Sequence, residues 1–150
     1  MKAKQIAAAL LTGVFVNLFG RLFAGAKIAE KMKEANAHEA LLVDRHGFIT
    51  EGSKSNFFGI KDKNLITAKG EAVLRGITRD KIFKIAKSLG IEVEEKEIKA
   101  SEISDLDSLF ISGTSVAILP ISQVDDIKFD VNNEILIKIM KRYNELLENK

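Results

Sequence analysis

The sequence predicts a mixed α+β domain with a mostly antiparallel sheet. Three observations carry this. Short apolar runs end in polar turns, as where Ala40-Leu41-Leu42-Val43 meets Asp44-Arg45-His46-Gly47. Two segments, 78–90 and 132–147, place apolar residues at helical spacing. The chain has 150 residues, 46% hydrophobic and 29% charged, the size and composition of one globular domain.

In chain order, residues 40–43, 48–50 and 56–60 read as strands, and Asp62-Lys63-Asn64 as a hairpin turn before a strand at 65–67. Thr78 is a suitable cap for a helix with Ile82, Phe83, Ile85, Ala86 and Leu89 on one side, and Gly90 stops it. Residues 91–94 alternate as a strand, 101–106 suit one short helical turn, and 108–112 and 117–123 are strands. Asn132 or Asn133 caps a last helix whose apolar face is Ile135, Ile139, Tyr143 and Leu146.

Residues 5–26 are the most apolar stretch, with Asn17 and Arg21 the strongly polar residues inside it. Apolar residues cover nearly the whole circumference of a helix drawn there, and such a helix is buried on most sides. A secretory signal and a membrane span compete with this reading, but Arg21 would lie within the span. The preferred reading is a helix packed on the rest of the chain, or on its own copy in a homodimer. From Lys27 to Glu34 the pattern turns amphipathic, with Ile28 and Met32 on one face. The expected organisation is a helical segment over 1–36 and a domain over 37–150.

Lys and Arg total 23 and Asp and Glu 21, interleaved along the chain as in Glu94-Glu95-Lys96-Glu97. Such charges form a solvated face, and no nucleic-acid partner is expected. There is no cysteine, which excludes disulfides, thiolate metal sites and cysteine nucleophiles and suits a reducing, cytoplasmic setting. His38 and His46, the two histidines, lie in different turns, so no metal site is expected. Ser53 and Ser55 lie in a turn that does not match a nucleophile elbow.

Three features point to chemistry in combination. Gly76-Ile77-Thr78-Arg79 opens a helix, where free amides suit an anion such as phosphate. Ser112-Gly113-Thr114-Ser115 is a polar turn whose amides and hydroxyls could add a second anion contact. Glu51 ends a strand, where a carboxylate could pair with a cationic heterocycle.

Together, Glu51-Gly52-Ser53-Lys54-Ser55-Asn56-Phe57-Phe58, Leu65-Ile66-Thr67 and Leu74-Arg75-Gly76-Ile77-Thr78-Arg79 resemble the signature of the class IV, or fold-type IV, aminotransferases. This family of pyridoxal-phosphate enzymes includes branched-chain aminotransferase, D-amino-acid aminotransferase and aminodeoxychorismate lyase. Glu39-Ala40-Leu41-Leu42-Val43-Asp44 and Phe110-Ile111-Ser112-Gly113-Thr114-Ser115 continue the resemblance, which covers about residues 31–147. It implies the C-terminal domain of the family, a mostly antiparallel pseudo-barrel with helices, and pyridoxal 5'-phosphate as cofactor. By the same resemblance Glu51 pairs with the pyridine nitrogen and Leu74 packs on the ring. Ile77, Thr78 and Thr114 contact the phosphate, while Gly76 and Gly113 let the backbone approach. Asn56 matches a family asparagine that supports the loop.

The chain departs from the family in three places. The family's N-terminal domain has no counterpart here. The lysine that holds the cofactor falls about twenty residues before the Glu39 strand, where Asn17-Leu18-Phe19 stand instead. Lys27 is the nearest candidate, though too close to the strand to align without a gap. The prolines usual after Leu65-Ile66-Thr67 are replaced by Ala68-Lys69-Gly70. The expectation is therefore a single-domain derivative of the family, truncated or engineered, that keeps the scaffold and lacks transaminase activity. The alternative is an active aminotransferase or lyase using Lys27 or a lysine from a partner chain.

Overall fold

The computed structural model describes residues 6–11 and 21–149; side chains within 6–11 are described only at Ala8, and those of 21–27 are not. The elements are β1 (Ile6–Leu11), α1 (Arg21–Glu34), β2 (Glu39–Val43), β3 (Phe48–Gly52), β4 (Asn56–Lys61), β5 (Asn64–Thr67), α2 (Ile77–Ser88), β6 (Val93–Glu95) and β7 (Ile98–Lys99). A 3-10 turn at Ala100–Asp105 follows, then β8 (Ser108–Gly113), β9 (Ala117–Val124), β10 (Ile127–Lys128) and α3 (Glu134–Glu148).

The sheet runs β6-β5-β4-β8-β9-β1-β2-β3-β7, and β3 also pairs with β4. That extra pairing closes β4, β8, β9, β1, β2 and β3 into a ring. Its seam is short: Glu51 opposite Asn56 is the pair that joins β3 to β4. Asp62 and Lys63 turn the β4–β5 hairpin with φ of 49° and 67°, the left-handed pair that matches the twist of two-residue hairpins.

Alternation along the strands divides the core in two. Leu41, Val43, Ile49, Phe57, Leu109, Ile111 and Ile121 pack in one cluster. Phe58, Ile60, Phe110 and Ile118 join Ile82, Ile85 and Ala86 of α2 and Ile135, Leu136, Ile139 and Tyr143 of α3 in the other. Successive residues of β4 and β8 are thus buried on opposite faces. Phe58 stacks on Phe110, with ring centroids 4.9 Å apart. A third, small cluster places Ile28 of α1 on Ala40 and Leu42, with Met32 beside it, on the face expected for both residues.

The α+β architecture and mostly antiparallel sheet agree with the sequence reading. The helix expected through 5–26 does not hold at its start. Ile6–Leu11 is a strand, parallel to both β2 and β9. An interior parallel strand needs no polar face, so its continuous apolar run imitates a buried helix. Residues 12–20 lie outside the described residues. No helix among the described residues is long and apolar enough to cross a membrane.

Two helix details also differ. Thr78 is not the cap of α2; Gly76 occupies that position and Thr78 sits buried within the first turn. Leu146 is 42% exposed, and Leu136 takes the buried place on α3. Asn133 caps α3 as one of the two expected asparagines, accepting from the amides of Ile135 and Leu136. Gly90 ends α2 with φ of 69°.

Candidate functional site

The ring's seam and the N-terminus of α2 meet at a pocket of about 190 Å³. Glu51, Lys54, Ser55 and Asn56 line it from the β3–β4 hairpin. Leu74, Arg75, Gly76, Ile77 and Thr78 line it from the approach to α2, and Ser112, Gly113 and Thr114 from the end of β8. All seven residues that the sequence suggested for cofactor binding are here: Glu51, Leu74, Gly76, Ile77, Thr78, Gly113 and Thr114.

Each wall is fixed by neighbours the sequence specifies. Asn56 lies on the same face of β4 as Phe58, which packs on α2. From there its Nδ2 donates to the Leu74 carbonyl at 3.0 Å. The hairpin loop is held by the buried Glu39 carboxylate, which accepts from Ser53 Oγ and from the Lys54 amide. Ser53 Oγ also reaches Met32 Sδ at 3.9 Å, linking α1 to this loop.

Arg79 anchors the first turn of α2 from behind. Its side chain is 5% exposed, and Nη2 donates to the Ala68 carbonyl at 2.9 Å and to Glu95 Oε1 at 2.8 Å. The guanidinium lies 4.6 Å from the centroid of the Phe83 ring, a cation–π arrangement. Glu95 accepts as well from the Gly70 amide at 3.0 Å. The Arg79 hydrogen bond, with smaller help from the Arg79 charge and the Gly70 amide, holds the Glu95 carboxyl below its ordinary value against the opposing effect of burial.

The residues fit a phosphorylated heterocycle. No side chain caps α2, which leaves its first amides available to an anion at the end where the helix dipole favours negative charge. A Cβ on Gly76 would come 2.8 Å from Asn56 Oδ1, so a side chain there would push the Asn56 amide or the helix start aside. A Cβ on Gly113 would meet the Lys54 carbonyl and Val116 Cγ2 at 3.5 Å, ordinary contact, so that glycine is less constrained. Ser112 Oγ and Ser55 Oγ, both pocket-lining, are buried without hydrogen-bond partners among the described residues. Glu51 is buried and supplies a carboxylate, with Lys54 and Arg75 as cationic residues around it.

Lys27 lies on α1, and its side chain is outside the described residues, as are Asn17, Leu18 and Phe19. Among the described residues no cluster of metal-ligating side chains occurs. Five lining residues were not individually among the sequence candidates for cofactor binding: Lys54, Ser55, Asn56, Arg75 and Ser112. The sequence offered Ser112 only within the polar turn 112–115; the structure sets it opposite Asn56 in the β4–β8 register.

The closed strand ring, its two packed helices and this seam pocket define an α+β barrel domain with a pocket at its seam. A family model described as amino-transferase class IV matches residues 21–124. A probable branched-chain-amino-acid aminotransferase of Rickettsia felis is 37% identical over 122 residues, covering 77% of this chain and 42% of that protein. The solved branched-chain aminotransferase of Thermoproteus uzoniensis superposes with a TM-score of 0.89 at 27% identity, over 98% of this chain and 52% of that one. The T.th. branched-chain amino acid aminotransferase, solved with pyridoxamine 5'-phosphate, gives 0.84 at 25% identity, over 94% and 51%. The chain belongs to the class IV aminotransferase family. It spans about half the length, or less, of the relatives it matches.

Proposed function

We propose that this chain is the cofactor-holding half of a pyridoxal-phosphate-dependent class IV aminotransferase. The observation that carries the reading is convergence. Residues as far apart as Glu51, Leu74 and Thr114 line one pocket at the N-terminus of α2. Glu51 pairs with the pyridine nitrogen of the cofactor and keeps it protonated. Leu74 covers a ring face. The amides of Ile77 and Thr78, with the hydroxyls of Thr78 and Thr114, take the phosphate. Bound there, the cofactor supplies an electron sink for chemistry at an amino acid's α-carbon. The protein's part is to bind and orient the ring and to hold one proton on it.

Amino-group transfer also needs a lysine near the cofactor's aldehyde. Asn17-Leu18-Phe19 occupy the positions where the family register expects it, which supports a chain that binds the cofactor without transferring amino groups by itself. The names of the relatives point to branched-chain amino acids as the substrate class of the assembled enzyme.

The test is an absorbance titration with pyridoxal 5'-phosphate, followed by borohydride reduction and intact mass. Saturable, non-covalent binding that Glu51→Gln weakens supports the reading. A single reduced adduct at Lys27 would instead make the chain a complete catalytic unit. Absence of saturable binding would remove the proposal.

A further inference from the structure

β8 contains two serines, Ser108 and Ser112, both with 0% exposure. Ser108 Oγ donates to the Asp130 carbonyl at 2.5 Å. Ser112 Oγ has no partner among the described residues. A buried hydroxyl without a hydrogen bond is costly and rare in a folded protein. An unsatisfied serine in a strand whose other buried serine is satisfied asks for a partner beyond the described residues, and its place in the pocket points to a ligand.

The position of Ser112 says where that partner sits. In the β4–β8 ladder Asn56 stands opposite Ser112, and Phe58 opposite Phe110. Phe58 and Phe110 pack against α2 and α3, so Ser112 and Asn56 share the face turned to α2. From that face Asn56 reaches Leu74, just before the helix. Ser112 is therefore on the pocket's floor, beneath the uncapped first turn of α2.

We propose that Ser112 is a ligand-contacting residue that donates its hydroxyl to the phosphate group bound at the α2 N-terminus. The inference rests on the reading of this pocket as a pyridoxal-phosphate site and adds a contact that the family resemblance did not assign. The chemistry requires only a phosphate oxygen, so inorganic phosphate also satisfies Ser112. Among the described residues the hydroxyl is unpaired without a ligand, and a bound phosphate supplies its partner.

This gives opposite signs for stability and binding, which a merely structural serine would not. Inorganic phosphate and pyridoxal 5'-phosphate are titrated calorimetrically into the full chain and into Ser112→Ala, and the ligand-free melting temperatures are compared. Loss of a hydrogen bond to a charged acceptor weakens binding of both ligands by about tenfold to a hundredfold. The ligand-free alanine variant melts at the same temperature as the parent or higher. Ser112→Cys, which keeps the volume and loses most of the hydrogen-bonding ability, provides a second reading should the alanine variant fold poorly.

Unchanged affinity for both ligands in a folded variant would overturn the role of Ser112 while leaving the cofactor site standing. A lower melting temperature in both ligand-free variants would assign the serine a structural role and overturn the inference. Failure of the parent chain to bind either ligand would remove the site reading itself.

Discussion

Asn56 Nδ2 donates to the Leu74 carbonyl at 3.0 Å, tying the seam of the strand ring to the approach to α2. One side chain thus sets the distance between the hairpin that carries Glu51 and the helix end that carries Thr78. Asn56→Ala removes this tie. The expected loss of stability is about 1–2 kcal/mol, with weaker binding of pyridoxal 5'-phosphate. An unchanged urea midpoint and affinity would show that the two walls are held by other contacts.

Gly76 stands against the same side chain. A Cβ there would lie 2.8 Å from Asn56 Oδ1. Gly76→Ala therefore displaces either the amide or the helix start, at about 1–3 kcal/mol. Much of that penalty disappears in the Asn56→Ala background, where the obstacle is gone. A double-mutant cycle reads the coupling directly; strictly additive effects would contradict the contact.

Glu51→Gln keeps the shape of the carboxylate and removes its charge. If Glu51 holds the protonated pyridine nitrogen, affinity for pyridoxal 5'-phosphate falls about tenfold or more. Affinity for inorganic phosphate does not fall with it. Titrating both ligands separates the ring end of the pocket from the phosphate end, and equal losses would argue against the assignment.

The Arg79–Glu95 pair predicts a dependence on acid. The Glu95 carboxyl is held below its ordinary value, chiefly by the Arg79 hydrogen bond. A depressed carboxylate contributes stability above its unfolded value of about 4.3 and loses it as pH falls through the lower folded value. Arg79→Met should destabilise at neutral pH, because it strips the Ala68 carbonyl and Glu95 of their partner. It should also flatten the decline of stability between neutral and acid solution. Urea unfolding of both proteins at pH 7 and pH 3 measures this, and parallel declines would remove Glu95 from the account.

Much of this arrangement is readable in the sequence because local rules act without competition. The hairpin at Asp62 and Lys63, the Asn133 cap and the Gly90 stop each follow from one or two residues. The cofactor candidates were readable through resemblance and converge in space as it implied. The failures have separate causes. Ile6–Leu11 is an unbroken apolar run without alternation, the pattern of an interior parallel strand, so period alone could not tell strand from helix. Thr78 looked like a cap because threonine favours caps, yet Gly76 takes that place. Ser112 was legible only as one member of a polar turn, because an unpaired hydroxyl shows itself only when the strands around it are assembled.

The parallel placement of β1 has a consequence for how the protein is made. Ile6 pairs with Ile121 of β9, so the ring cannot close until the residues between them have been synthesised. At ribosomal speeds this leaves the early strand waiting on the order of ten seconds without its second neighbour. Its partner β2 can reach it sooner, since Leu10 pairs with Leu41. The newborn chain is then a partial sheet with an apolar edge, a form that invites capture by a chaperone before the last strands arrive.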